Sequence, residues 1–123
     1  MQQPKMYVLV RGDIEMSPGK LASQVGHGFK ILAREATLHY PDLADQYFAD
    51  GSGTNIVLLA CSLQHLENIW NEISTLECPK VLFEDEGHIH LPDFDGSPIV
   101  TVLGIGPICK SALPMSVQKL PVL

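Results

Sequence analysis

The chain has 123 residues, 46% hydrophobic and 18% charged, with a net charge of −6. That length suits one domain with its own core, and no apolar run approaches the roughly 20 residues that a membrane-spanning helix needs. Three cysteines, Cys61, Cys78 and Cys109, are odd in number and form no C-x-x-C pair, which suits small core residues and free thiols in a reducing cytoplasm.

Taken in order, residues 6–11 (MYVLVR) read as a strand whose nearly continuous apolar character fits the buried centre of a sheet. Because these apolar residues already alternate like a strand, the N-terminal segment lacks the layout of a signal peptide. Gly12 and Asp13 supply turn chemistry. Residues 18–36 read as a helix, with Leu21, Val25, Phe29, Leu32 and Ala36 on one apolar stripe. Ser17 suits its N-cap and Pro18 its first position. Pro41 breaks the pattern before a short helix over 42–49, with Leu43, Tyr47, Ala44 and Phe48 turned inward. Residues 55–61 (NIVLLAC) form a second buried strand. Ser62 then caps a helix over 63–76, with Leu66, Ile69, Trp70, Ile73 and Leu76 as its core stripe. A third strand over 79–83 leads into an acidic connection, 84–96, and a fourth strand covers 99–105. Gly106 and Pro107 open a short helix limited by Pro114, and the apolar tail 117–123 docks or pairs at a sheet edge. The two strand–helix–strand units imply parallel, right-handed crossovers, and the last two strands are antiparallel neighbours. The expected fold is therefore α/β, a single-domain sandwich over 1–123 with a mixed four-stranded sheet flanked by helices.

Charge is distributed unevenly. Residues 1–34 carry Lys5, Arg11, Lys20, Lys30 and Arg34 against Asp13 and Glu15, whereas residues 35–95 carry Lys80 against twelve acids. Lys20 falls in the first turn of the first helix, where a cation opposes the helix dipole. It makes sense there if an anion, or an oxygen gaining negative charge, sits beside the free N–H groups. Lys20, Ser23, His27, Lys30 and Arg34 recur at steps of three and four, a stripe with no acid on an acidic protein, and this points to an anionic partner.

Other candidates carry less. Gly104-Ile-Gly106 is neither G-x-G-x-x-G nor a P-loop, and it reads as close packing or a tight strand exit. His88 and His90 share one face of an extended segment near Asp93 and Asp95 and could meet one metal ion, yet no spacing fixes a third ligand. Glu84-Asp85-Glu86 crowds three carboxylates at a strand end, where open α/β sheets place function.

Three blocks in this order resemble the type-2 peptidyl-tRNA hydrolase family. They are YVLVRGDIEMSPGKLASQVGHGF (7–29), Asp85-Glu86-Gly87 after the third strand, where the family has Asp-Ala-Gly, and TVLGIGP (101–107). The resemblance implies hydrolysis of the ester joining a peptide to the tRNA ribose, which recycles tRNA, in a cytoplasmic homodimer that needs no metal or organic cofactor. It implies Lys20, Asp85 and Thr101 as catalytic residues, with Lys20 holding an oxyanion or phosphate and Asp85 acting on the attacking water. It also matches His27 to the family's helix histidine; with Gln24 and His90 as further candidate substrate contacts, the basic stripe of Lys20, His27, Lys30 and Arg34 is expected to meet tRNA phosphates. The chain departs from the family at His88-Ile89-His90, where the family has Arg-Thr-Gln and a threonine implicated in activity. Pro92-Asp93-Phe94-Asp95 is inserted beyond it, and 37–54 is longer than usual. The polar role of that threonine then passes to His88 or His90; otherwise the chain is an altered relative serving as an RNA- or protein-binding module.

Overall fold

The computed structural model describes residues 3–123; Met1 and Gln2, the first two residues of the expected domain, lie outside it. The first strand, β1 (Lys5–Arg11), is followed by α1 (Pro18–His39), α2 (Pro41–Tyr47), β2 (Asn55–Ala60), α3 (Leu63–Glu72) and β3 (Lys80–Asp85). Two-residue strands β4 (Ile89–His90) and β5 (Phe94–Asp95) precede the long β6 (Ile99–Ile108), a 3-10 turn (Lys110–Ala112) and α4 (Met115–Gln118).

The main sheet has the order β2-β1-β6-β3. β1 and β2 are parallel, with Met6 opposite Asn55 and Arg11 opposite Ala60. β6 runs antiparallel to both β1 and β3. The mixed four-stranded sheet and the antiparallel last pair agree with the sequence reading. The second crossover differs: β2 and β3 are not neighbours but the two opposite edges.

β1 is central, and its residues Met6 to Val10 are all buried. Met6, Val8 and Val10 pack with Leu32, Tyr47 and Val102 on the α1 side. Tyr7 and Leu9 pack with Leu66, Ile69, Ile73, Leu103 and Ile105 on the α3 side. Burial on both faces is the reason the strand reads as an unbroken apolar run. Trp70 packs against this second cluster, as a core residue.

The buried line of α1 is not the expected stripe. It consists of Gln24, Gly28, Leu32 and Ala36, while Leu21, Val25 and Phe29 are partly buried along its flank. The axis shifts because Gly28 lets the helix close on β1: a Cβ there would lie 3.0 Å from Val8 Cγ2. Hydrophobic periodicity gives no weight to a glycine or a glutamine, so it misplaces the line. In α2, Ala44 and Tyr47 are buried as expected, but Phe48 is exposed.

The C-terminal part also differs. No helix opens at Gly106-Pro107, because both residues belong to β6. Gly106 has φ +120° and its N–H donates to the Pro79 carbonyl at 3.0 Å. The β1–β6 register shifts between Lys5 and Tyr7 at the same place. Such a bulge accommodates proline, which has no N–H for the ladder. Pro114 stands before α4 rather than ending a helix. The tail pairs with the outer edge of β2, where the Leu59 N–H donates to the Pro121 carbonyl at 2.9 Å and the Leu123 N–H to the Val57 carbonyl at 3.0 Å.

A Cβ at residue 106 would sit 2.5 Å from the Lys5 carbonyl oxygen, in a backbone conformation that non-glycine residues adopt at a cost of about 1–3 kcal/mol. Gly106→Ala should lower unfolding stability by at least about 2 kcal/mol, read as a reduced midpoint in urea denaturation with unchanged slope.

Candidate active site

The site is built where α1 begins and β3 ends. Ser17 is extended (φ −61°, ψ 158°), and its hydroxyl accepts from the Lys20 N–H at 3.1 Å. The first turn contains no acid. Lys20 heads the i, i+4 line that continues through Gln24, Gly28, Leu32 and Ala36, so its side chain lies along the sheet rather than on the solvent stripe. Its Nζ donates to Asp85 Oδ2 at 2.6 Å, with the two side chains only 15% and 17% exposed. The lysine that opposes the helix dipole is thus answered by a carboxylate 65 residues away. Of the three acids at the strand end, Asp85 alone turns in, while Glu84 and Glu86 are exposed.

Asp85 owes its position to a β-bulge. Phe83 pairs with Val102, but Glu84 pairs with Val100 and Asp85 with Ile99. This leaves Thr101 as the extra residue of β6, and a bulge of this kind bends a strand and re-aims its side chains. Thr101 does not open into the cleft. It is fully buried, and its hydroxyl donates to Gln24 Oε1 at 2.5 Å; Gln24 is itself 1% exposed. These two expected site residues therefore form a layer beneath Lys20 that ties α1 to the bulge.

The connection 84–96 is more ordered than a loop. β4 and β5 pair, with His90 opposite Phe94, and the Gly87 N–H donates to the Gly96 carbonyl at 3.0 Å. Asp93 accepts from the Glu15 N–H at 3.2 Å, which joins this hairpin to the turn before α1. That turn is itself braced by Arg11. Its guanidinium grips Asp13 at 2.8 and 2.9 Å and donates to the Val100 carbonyl at 3.1 Å, and its hydrogen bonds hold the Asp13 carboxyl below the usual carboxylate range.

Phe94 is 1% exposed, and the Lys20 ammonium lies 5.2 Å from its ring centroid, within cation–π range. His88 meets Phe94 edge-on at 5.1 Å. A cleft of about 90 Å³ is lined by Glu15, Met16, Ser17, Lys20, His88, His90 and Phe94. Alternation along the strand puts His88 and His90 on the cleft side and turns Ile89 out, 71% exposed. Phe94 is the residue that sequence reading misses. Its one signal is an aromatic side chain set inside an otherwise polar PDFDG segment.

The rest of the basic helix face lies farther along α1. His27 stacks on Phe83 of β3 at 4.9 Å. Lys30 Nζ lies 3.4 Å from its Nδ1 and Ser23 Oγ 3.5 Å from its Nε2. An ammonium only donates, so Nδ1 accepts and Nε2 carries the hydrogen directed at Ser23. Lys30 and Arg34 are exposed. Among the described residues no group of three His, Cys, Asp or Glu side chains is placed to hold a metal ion.

A model of the family described as Peptidyl-tRNA hydrolase PTH2 matches residues 4–123. Similar curated relatives include the peptidyl-tRNA hydrolase of Thermococcus sibiricus, 33% identical over 103 residues that cover 84% of this chain and 83% of the relative. That of Pyrobaculum aerophilum is 31% identical over 105 residues, covering 84% and 85%. That of Methanocaldococcus jannaschii is 28% identical over 103 residues, covering 84% and 85%.

Thr101→Val keeps the side-chain shape but leaves the buried Gln24 oxygen without its donor, and an unmet buried polar group costs about 1–3 kcal/mol. Chemical denaturation should show a loss of that size. Adding Gln24→Leu to Thr101→Val should recover part of it, giving a measurable coupling in the double-mutant cycle.

Proposed function

The chain belongs to the peptidyl-tRNA hydrolase PTH2 family and hydrolyses the ester of peptidyl-tRNA; we propose that it does so in the cleft between α1 and the β4–β5 hairpin. The observation that carries this reading is the Lys20–Asp85 contact of 2.6 Å, which brings the ends of α1 and β3 to one point. Asp85, as a carboxylate, takes a proton from a water held beside it. The water oxygen bonds to the ester carbonyl carbon. The carbonyl oxygen gains negative charge and is met by the Lys20 ammonium and the free N–H groups of the first turn of α1. Collapse breaks the bond to the ribose oxygen, which takes back the proton from Asp85 and leaves as the tRNA hydroxyl. The products are a free tRNA and a peptide carboxylic acid, which gives its remaining proton to solvent.

His88 supplies a further hydrogen-bonding group to the attacking water, standing in for the threonine that the family carries at the position of Ile89. Support comes from the cleft, which His88 and His90 line with Lys20 while Ile89 points outward. Thr101 and Gln24 act as positioning residues, because the hydrogen bond between them holds the Lys20 helix against the bulge. Lys30 and Arg34, exposed on α1 with His27 between them and Lys20, contact tRNA phosphates. Family resemblance further suggests a homodimer, which sedimentation would test. The free thiols of Cys61 and Cys78 suit a cytoplasmic setting.

Release of peptide from purified peptidyl-tRNA tests the assignment. Lys20→Ala should lower kcat about a hundredfold or more, the loss that follows removal of an oxyanion donor. Asp85→Asn, close in shape, should do the same by removing the base. Wild-type turnover that survives both substitutions would overturn the roles given to these residues.

Binding of tRNA should weaken as salt rises. Lys30→Ala with Arg34→Ala should make the plot of log affinity against log salt shallower by about one to two, since each phosphate contact contributes roughly 0.7–0.9 to that slope. An unchanged slope would remove the helix face from the tRNA interface.

A further inference from the structure

The two histidines in the cleft have an arrangement that general acid–base chemistry does not require. Their rings are nearly parallel, 12° apart in plane, with centroids separated by 6.4 Å. Phe94 braces the inner ring edge-on at 79°. The outer ring, His90, is exposed and free to adjust. Bases stack about 3.4 Å apart, so a flat ring admitted between two others needs about 6.8 Å between them. The 6.4 Å between the ring centroids is the upper limit of the gap between the two planes, so the exposed His90 ring has to swing outward to admit a base.

The substrate carries a flat ring at the right place. The scissile ester is made by the ribose of the tRNA's terminal adenosine, so the adenine base hangs from the same sugar as the reacting carbonyl. It must lie about one sugar's width from Lys20 and Asp85. The contacts from Lys20 to Phe94 and from Phe94 to His88 put the ring pair one side chain away from the ammonium. The geometry points to His88 and His90 as a slot for the terminal adenine of the tRNA, gripped by stacking on its two faces. This rests on the reading that the chain hydrolyses peptidyl-tRNA. It explains why imidazole recurs at alternate positions, and why Phe94 is buried behind the inner ring: a stacking wall must be held at a fixed angle. The occupant is the same for every tRNA, so a single shape-matched slot serves substrates of any peptide sequence.

Two measurements decide it. In the first, adenosine 5′-monophosphate is titrated into the protein and the imidazole ring protons are followed by NMR. Those of His88 and His90 should shift together, with His39 and His65 unmoved; shifts spread over all histidines, or none, would overturn the slot. In the second, steady-state peptide release is compared between variants. His90→Ala should raise KM about tenfold with kcat changed less than about threefold, the range that losing one base–aromatic stack gives. His90→Phe should recover most of that loss, because a stacking wall needs a flat face and no titrating group. Loss in His90→Phe equal to that in His90→Ala would overturn the slot in favour of hydrogen bonding or proton transfer. If wild-type protein releases no peptide, the hydrolase reading fails, and the nucleotide titration still decides the slot.

Discussion

Everything in the site depends on one ion pair. Lys20 occupies a first-turn position where its charge opposes the helix dipole, and Asp85 is half-buried at the end of an edge strand. Each alone would be unfavourable: a lone charge at low exposure loses hydration that nothing replaces. Together, at 2.6 Å, each is the other's compensation. Such pairs seldom add much net stability, since desolvation offsets their attraction. Two mutually dependent charges at a solvent-facing cleft are better explained by what they do to a third group. Under the proposed reaction, an ester carbonyl entering beside them would meet a cation and a carboxylate whose positions are already set.

Holding that pair in place falls to a second contact with no charge. The bulge leaves Thr101 as the extra residue of β6 with its hydroxyl buried, and a buried hydroxyl needs a hydrogen-bond partner. Gln24 supplies it from one turn below Lys20. A lateral shift of α1 would therefore break a buried hydrogen bond before it separated Lys20 from Asp85. On the other side, Arg11 joins the turn before α1 to Asp13 and to the Val100 carbonyl. The start of α1 is thus fixed to β6 at both ends of the bulge, by Val100 and by Thr101.

Much of this could be read from the residues. The apolar run of β1, the Ser17 cap and the odd charge of Lys20 are local properties, and local chemistry predicts them. The three blocks that resemble a known family then identify Asp85 and Thr101 as residues to watch. What stayed hidden depends on contacts far apart in the chain. The α1 face was misjudged because its line of contact runs through Gly28 and Gln24, whose burial depends on Val8 and Thr101. Pro107 reads as a helix start because a proline inside a strand is tolerated only at a bulge, and that bulge depends on the pairing partner. Phe94 reads as a loop residue because nothing nearby in sequence shows that it packs under Lys20.

The segment His88-Ile89-His90 takes its meaning from the hairpin. Alternation along the strand turns the apolar Ile89 to the outside and its two histidine neighbours to the cleft. Residues 92–95 make that possible: β5 pairs with β4, Phe94 backs His88, and Asp93 binds the Glu15 N–H. The pairing gives the segment a partner strand and Phe94 gives it an aromatic floor, so the hairpin forms the wall of the cleft opposite Lys20.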